Sequence, residues 1–196
     1  MSELPSGGVI RTAELLAAGV TRHAVSLRCR PSGPWQRMLP GVVLMSAGPP
    51  SRAQLLRAAV AYAGPYGVIT GADALRAQGI LVPYPDEVLL LVPATRRLAG
   101  RSYLTVERTT RPPDPVWRVG LPVAPVVRAA VDAARHERDP VRLRTLLLAP
   151  VTAGACTIAQ LRAELAAGNQ RGSAAPRAAL DDHQYSSGSL ASMSRT

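Results

Sequence analysis

Four polar side chains close together, Arg22, His23, Ser26 and Arg30, carry the densest chemistry in the chain. They fall at spacings of one, three and four, so a helix running through them gathers them on one side and leaves Ala24, Val25 and Leu27 as a packing side. Arginine forks onto guanine edges or phosphates and serine bonds to either, which is the chemistry of a DNA-reading helix. A little further on, Trp35 and Arg37 stand in WQRML, a stretch that alternates like a strand, and Arg37 is there the candidate phosphate contact. Spacing alone leaves a plainer reading open, because a short helix with one basic face is also what an ordinary solvated surface looks like.

The elements that must position these residues can be read on either side of them. Thr12 to Ala18 (TAELLAA) is predicted as a first helix, with Thr12 as N-cap and Glu14 in the positive first turn. Gly19 supplies a left-handed stop, and Thr21 caps a second helix, Arg22 to Arg30, after the turn Gly19-Val20-Thr21. Pro31 to Pro34 make a turn, Trp35 to Leu39 a strand, Pro40-Gly41 a tight turn, and Val42 to Met45 a second strand. Two helices and a hairpin in this order predict a small winged helix-turn-helix over residues 1–47.

The composition agrees with a polyanionic partner. The 196 residues carry a net charge of +10, and all 23 basic residues are arginine. Arginines displace counterions from phosphates and steer association, although the same charge also suits an acidic protein. With 47% hydrophobic and 4% aromatic residues the chain can bury a core of ordinary size beside a small basic domain. Cys29 and Cys156 stand alone, without metal-ligand or redox spacing, which fits a reduced, cytoplasmic protein. The opening MSELPSGG does not read as a signal peptide, and no apolar run approaches the ~20 residues of a membrane span, so no membrane partner is expected.

Ala47-Gly48-Pro49-Pro50 reads as a hinge between that small domain and a larger one over 51–180. Ser51 caps a helix Arg52 to Ala63, which Gly64-Pro65 stops, and a strand-like Gly67-Val68-Ile69 leads to a helix Gly71 to Gln78 capped by Thr70. Asp86 to Val92 and Ser102 to Arg108 are predicted as an antiparallel pair, with Arg96, Arg97 and Arg101 in the loop between them as a second basic patch. One more strand, Trp117 to Val123, precedes helices at Val126 to Arg135, Pro140 to Leu148 and Ile158 to Ala167, the last capped by Thr157. Arg128 and Asp132, four apart, can pair along their helix in a structural role. The fold class expected is α+β, a winged helix-turn-helix followed by an α/β domain with a small, mainly antiparallel sheet and packed helices. Residues 181–196 form a polar, Ser-rich tail expected to be disordered.

Nothing in the chain points to catalysis. There is no glycine-rich phosphate loop, nucleophile elbow or paired Cys-His spacing, and the adjacent Asp181, Asp182 and His183 cannot all face one ion. No enzyme activity, catalytic residue, metal or cofactor is expected.

The run AGVTRHAVSLRCRPSGPWQRMLPGVVLM resembles the N-terminal winged helix of AbiEi-family antitoxin-like proteins, the antitoxin side of type IV toxin–antitoxin systems, in their actinobacterial form. Ala18-Gly19-Val20, Arg22, Trp35, Arg37 and Pro40-Gly41-Val42 carry the match, while Val43 stands where a tyrosine is usual and Pro31-Ser32-Gly33-Pro34 is richer in proline. A second match is Gly120-Leu121-Pro122-Val123 with Pro125, Arg128 and Asp132, whereas Thr70-Gly71-Ala72 replaces the usual serine-histidine helix start. In these relatives a very-short-patch-repair-type nuclease domain often follows; here the Ser-rich tail stands in that place. The resemblance implies a DNA-binding transcriptional regulator that represses its own toxin–antitoxin operon, with double-stranded DNA of its own promoter and a cognate toxin as partners. Two alternatives stay open. One is an interaction module that neutralises a nucleotidyltransferase-like toxin without reading DNA, and the other is a non-catalytic remnant of a DNA-processing nuclease.

Overall fold

The computed structural model describes residues 8–182, a mixed α/β fold with two small sheets. The Asp181-Asp182-His183 run and the Ser-rich tail therefore fall mostly outside the described residues. The chain forms two compact units, the first taking in the described residues up to Ile69 with Glu87–Thr110 and Gly120–Pro122, the second Thr70–Asp86, Arg111–Val119 and the described residues from Val123 onward. Ala47 to Pro50, expected to part a small domain from a larger one, lies inside the first unit.

The first unit begins with β1 (Val9–Arg11), α1 (Thr12–Ala17), α2 (Arg22–Arg28), β2 (Gln36–Leu39) and β3 (Val42–Leu44). β3 is the middle strand of an antiparallel sheet in the order β1-β3-β2, with Ile10 opposite Val43 on one side and Arg37 opposite Val43 on the other. All three residues of β3 are buried. β1 is too short to show a period in the sequence, and its pairing, not its composition, makes it a strand. α3 (Arg52–Ala63) follows, capped as expected by Ser51, whose hydroxyl accepts from the Gln54 amide at 3.3 Å. It buries Ala58, Ala59 and Ala63 and packs on β1, β2 and β3. That contact places α3 with the small sheet in the first unit.

After a 3-10 turn at Gly64–Tyr66 come β4 (Val68–Thr70), α4 (Gly71–Ala77), β5 (Val88–Pro93), β6 (Leu104–Thr109), β7 (Val116–Arg118) and β8 (Leu121–Val123), and the larger sheet has the order β6-β5-β4-β8-β7. β5 and β6 are parallel, Val88 opposite Leu104 and Pro93 opposite Thr109, which corrects the expected antiparallel pair. Val88, Leu90, Leu91 and Val92 are all buried, the near-continuous apolar run of a strand covered on both faces. Residues 94–103 instead carry the chain back along the full length of the strand. The expected single strand Trp117 to Val123 is two strands, because Val119 and Gly120 both take positive φ (+50° and +72°) and turn the chain on itself.

The second unit is built around α5 (Val126–His136), against which α4, α6 (Pro140–Thr152) and α7 (Ile158–Ala167) pack. Asp139 and Thr157 cap α6 and α7 as their sequences predict, and residues 174–182 are again helical. Every α5 residue from Arg128 to Ala134 is buried. Asp132, with no exposed surface, holds the Arg128 guanidinium at 2.9 Å, lies 3.5 Å from that of Arg135, and accepts from the Thr70 hydroxyl at 2.8 Å. The Thr70 hydroxyl makes no cap bond to α4, although Thr70 sits at its N-cap position. A carboxylate so buried is tolerable only with partners such as these, and removing it takes the buried counter-charge from two guanidinium groups at once. Asp132→Ala is expected to lower the unfolding free energy by about 3–5 kcal/mol, measured by equilibrium denaturation; a loss no larger than that of a surface substitution would contradict it.

Candidate nucleic-acid interface

The angle between α1 and α2 is set by two local devices. Gly19 has φ +88°, and the Gly19 and Val20 amides donate to the Leu16 and Leu15 carbonyls at 3.0 and 2.9 Å, the paired bonds of a Schellman stop. Thr21 then accepts from the Ala24 amide at 3.1 Å and starts α2. At the start of α1 the cap position is Arg11, not Thr12, and the Glu14 carboxylate reaches back to the Arg11 amide at 3.3 Å and to its guanidinium at 2.8 Å. α2 ends at Arg28, shorter than predicted, with Cys29 as its C-cap.

Val25 is the one fully buried residue of α2 and meets Leu15 of α1 and Val43 of β3. Ile10, Val20, Cys29, Trp35 and Met45 close around them. Leu27, expected on the packing side, is 45% exposed. Seven residues make fewer than two full turns, so the buried stripe narrows to a single position. Arg22, His23 and Ser26 are exposed on the helix, while Arg30 is exposed beyond its end, in the turn toward β2. Trp35 is half-buried, with its ring between this apolar cluster and the Arg28 guanidinium, which stands 4.7 Å from the ring centroid. Gly33 allows the chain to fold back here, since a Cβ at that position would lie 2.3 Å from the Arg28 carbonyl oxygen.

The β2–β3 hairpin is held at both ends. Its Pro40-Gly41 turn, with Gly41 at φ +74°, accepts through the Gly41 carbonyl from the Thr12 amide at 2.8 Å. At the other end the Gln36 amide donates to the Ser46 and Gly48 carbonyls at 2.7 and 2.6 Å. Arg37 is exposed on this hairpin and lines a groove of 340 Å³ with Thr12, Met38, Gly41, Arg101 and Ser102 among its walls. The structure thus brings one arginine of the second basic patch, Arg101, to the arginine of the hairpin. Arg97 is exposed away from the groove lining, and Arg96 lies 5.2 Å over the Tyr66 ring. Among the described residues none of Arg22, Arg30, Arg37, Arg97 or Arg101 has a carboxylate partner, so their charge is presented to solvent. Thr12 and Ser102 as groove residues had no signal in the sequence, because only the fold makes them neighbours.

Asp181 and Asp182 pair with Arg162 at 2.9 Å and Arg144 at 2.7 Å. Burial pushes the Cys156 thiol up, away from the reactive thiolate, and pushes the Tyr103 phenol up to about 12. Among the described residues no helix is long and apolar enough to cross a membrane.

No protein-family model matches the chain, and no curated protein matches it. Among solved structures, the crystal structure of the Rv2827c protein from Mycobacterium tuberculosis is similar, with 19% sequence identity, a TM-score of 0.58, and coverage of 88% of this chain and 71% of that one. At that identity the likeness is one of fold, and it spans both units described above.

Proposed function

We propose that residues 1–47 act as a winged helix-turn-helix, with α1 and α2 as the helix pair and β2–β3 as the wing, and that the protein is a sequence-specific DNA-binding transcriptional regulator. The observation that carries this reading is the outward face of α2. Arg22, His23 and Ser26 stand there in solvent without a carboxylate partner, on a helix anchored from behind by Val25. Residues at the start of such a helix are those that reach base edges in the major groove. Arg37 on the hairpin supplies the phosphate contact of a wing, and the net charge of +10 supplies the long-range attraction. Together with the resemblance to AbiEi-like antitoxins, this supports a cytoplasmic autorepressor of a type IV toxin–antitoxin operon, with its own promoter and a cognate toxin as partners.

Base readout and phosphate contact respond differently to substitution. On the duplex upstream of the gene, Arg22→Ala is expected to cost about 1–3 kcal/mol of affinity and to cost much less on a scrambled duplex of equal length. Arg37→Ala is expected to weaken both duplexes alike. Equal losses on both duplexes for Arg22→Ala, measured by fluorescence anisotropy, would contradict base reading by α2.

A further inference from the structure

We infer that the groove between the β2–β3 hairpin and the Arg101-Ser102 turn is a second backbone-phosphate site for duplex DNA, with Arg37 and Arg101 as its two charged jaws. The inference rests on the DNA-binding reading above and extends the contact surface to a loop distant in sequence from the helix pair. Arg37 and Arg101 line one groove of 340 Å³, and both side chains are exposed and lack a carboxylate partner among the described residues. Two exposed guanidinium groups presented on one groove suit an extended, regularly charged phosphate backbone.

The loop that carries Arg101 is held in place rather than left as a flexible tip. Residues 94–103 contain no helix or strand, yet the Ala94 amide donates to the Thr109 carbonyl at 2.8 Å and the Tyr62 hydroxyl to the Ala99 carbonyl at 3.3 Å. Gly100 presses against β6 so closely that a Cβ would lie 2.7 Å from the Leu104 carbonyl oxygen. Arg101 and Leu104 exchange both backbone hydrogen bonds at 2.9 Å, and this tight turn forces Ser102 to φ +52°, a left-handed conformation that a non-glycine residue adopts at a cost. Strained backbone kept at a groove wall fixes where the Arg101 side chain starts. A fixed starting point reduces the ordering entropy lost when that side chain meets a phosphate.

The test is a titration of the intact protein and its variants against the upstream duplex and a scrambled duplex over a series of salt concentrations. Arg101→Ala is expected to weaken both duplexes by a similar factor, roughly three- to tenfold, and to lower the slope of log affinity on log salt by about one, as Arg37→Ala does. Arg101→Lys, which keeps a point charge, is expected to recover most of the slope, and Arg108→Ala, an exposed arginine of the same unit outside the groove, to leave it unchanged. Coincident thermal melts of Arg101→Ala and the unsubstituted protein establish that the exposed substitution leaves the fold intact. If Arg37→Ala lowers the slope and Arg101→Ala does not, the groove site is overturned while DNA binding by the helix pair stands. If Arg108→Ala acts as strongly as Arg101→Ala, diffuse charge and not the groove is responsible. If the unsubstituted protein binds neither duplex, both readings fall together.

Discussion

Three apolar side chains, Leu15, Val25 and Val43, hold the whole candidate interface in register. One comes from each of α1, α2 and β3, and all three are buried. α2 is too short to be stable as an isolated helix, so its orientation comes from this contact and from the Thr21 cap rather than from helix propensity. Because Val43 also sits in the middle strand of the small sheet, the helix pair, the hairpin and β1 share a single anchoring point. Everything polar on α2 is consequently directed outward. A cavity at Val25 would loosen the apolar contact that, with the Arg28–Trp35 contacts, fixes the helix against the hairpin.

The second unit solves a different problem, the burial of charge. Asp132 lies on the most enclosed helix of that unit, and its carboxylate is matched by Arg128, Arg135 and Thr70 at once. The same guanidinium of Arg128 continues to the Arg111 carbonyl at 3.1 Å and the Glu164 carboxylate at 3.5 Å, tying α5 to α7 and to the chain before β7. Well-packed apolar residues would give similar stability without such exacting geometry, so the network is better understood as specifying how these elements meet than as a large source of free energy. Its centre, Asp132, has no exposed surface, while the Arg128 and Glu164 side chains at its edge are 10% and 17% exposed.

What could be read in the sequence was local chemistry. Gly19, Thr21, Ser51, Asp139 and Thr157 act where their types and spacing place them, because a cap or a left-handed stop depends on a few neighbouring backbone groups. The exposed Arg22, His23, Ser26 and Arg37 were legible for the same reason, as was the Arg128–Asp132 pair. Long-range pairing was not. The parallel register of β5 and β6 depends on residues 94–103 running back along a strand, and nothing in an arginine-rich loop distinguishes that path from a hairpin tip. Thr70 shows the limit from the other side, since its type fits a cap, yet its hydroxyl serves a carboxylate brought to it by α5. The meeting of Arg37 and Arg101 is likewise a product of tertiary structure alone.

The central claim, that an outward-facing helix on a buried apolar anchor reads DNA sequence, is tested most directly by the specificity ratio of the unsubstituted protein. The measurement is its affinity for the duplex upstream of its own gene against a scrambled duplex of equal length, at a low and a high salt concentration. Readout by α2 predicts a preference for the upstream duplex that persists at high salt, because base-edge contacts do not depend on counterion release. Equal affinities that vanish together as salt rises would contradict it and leave only a basic surface.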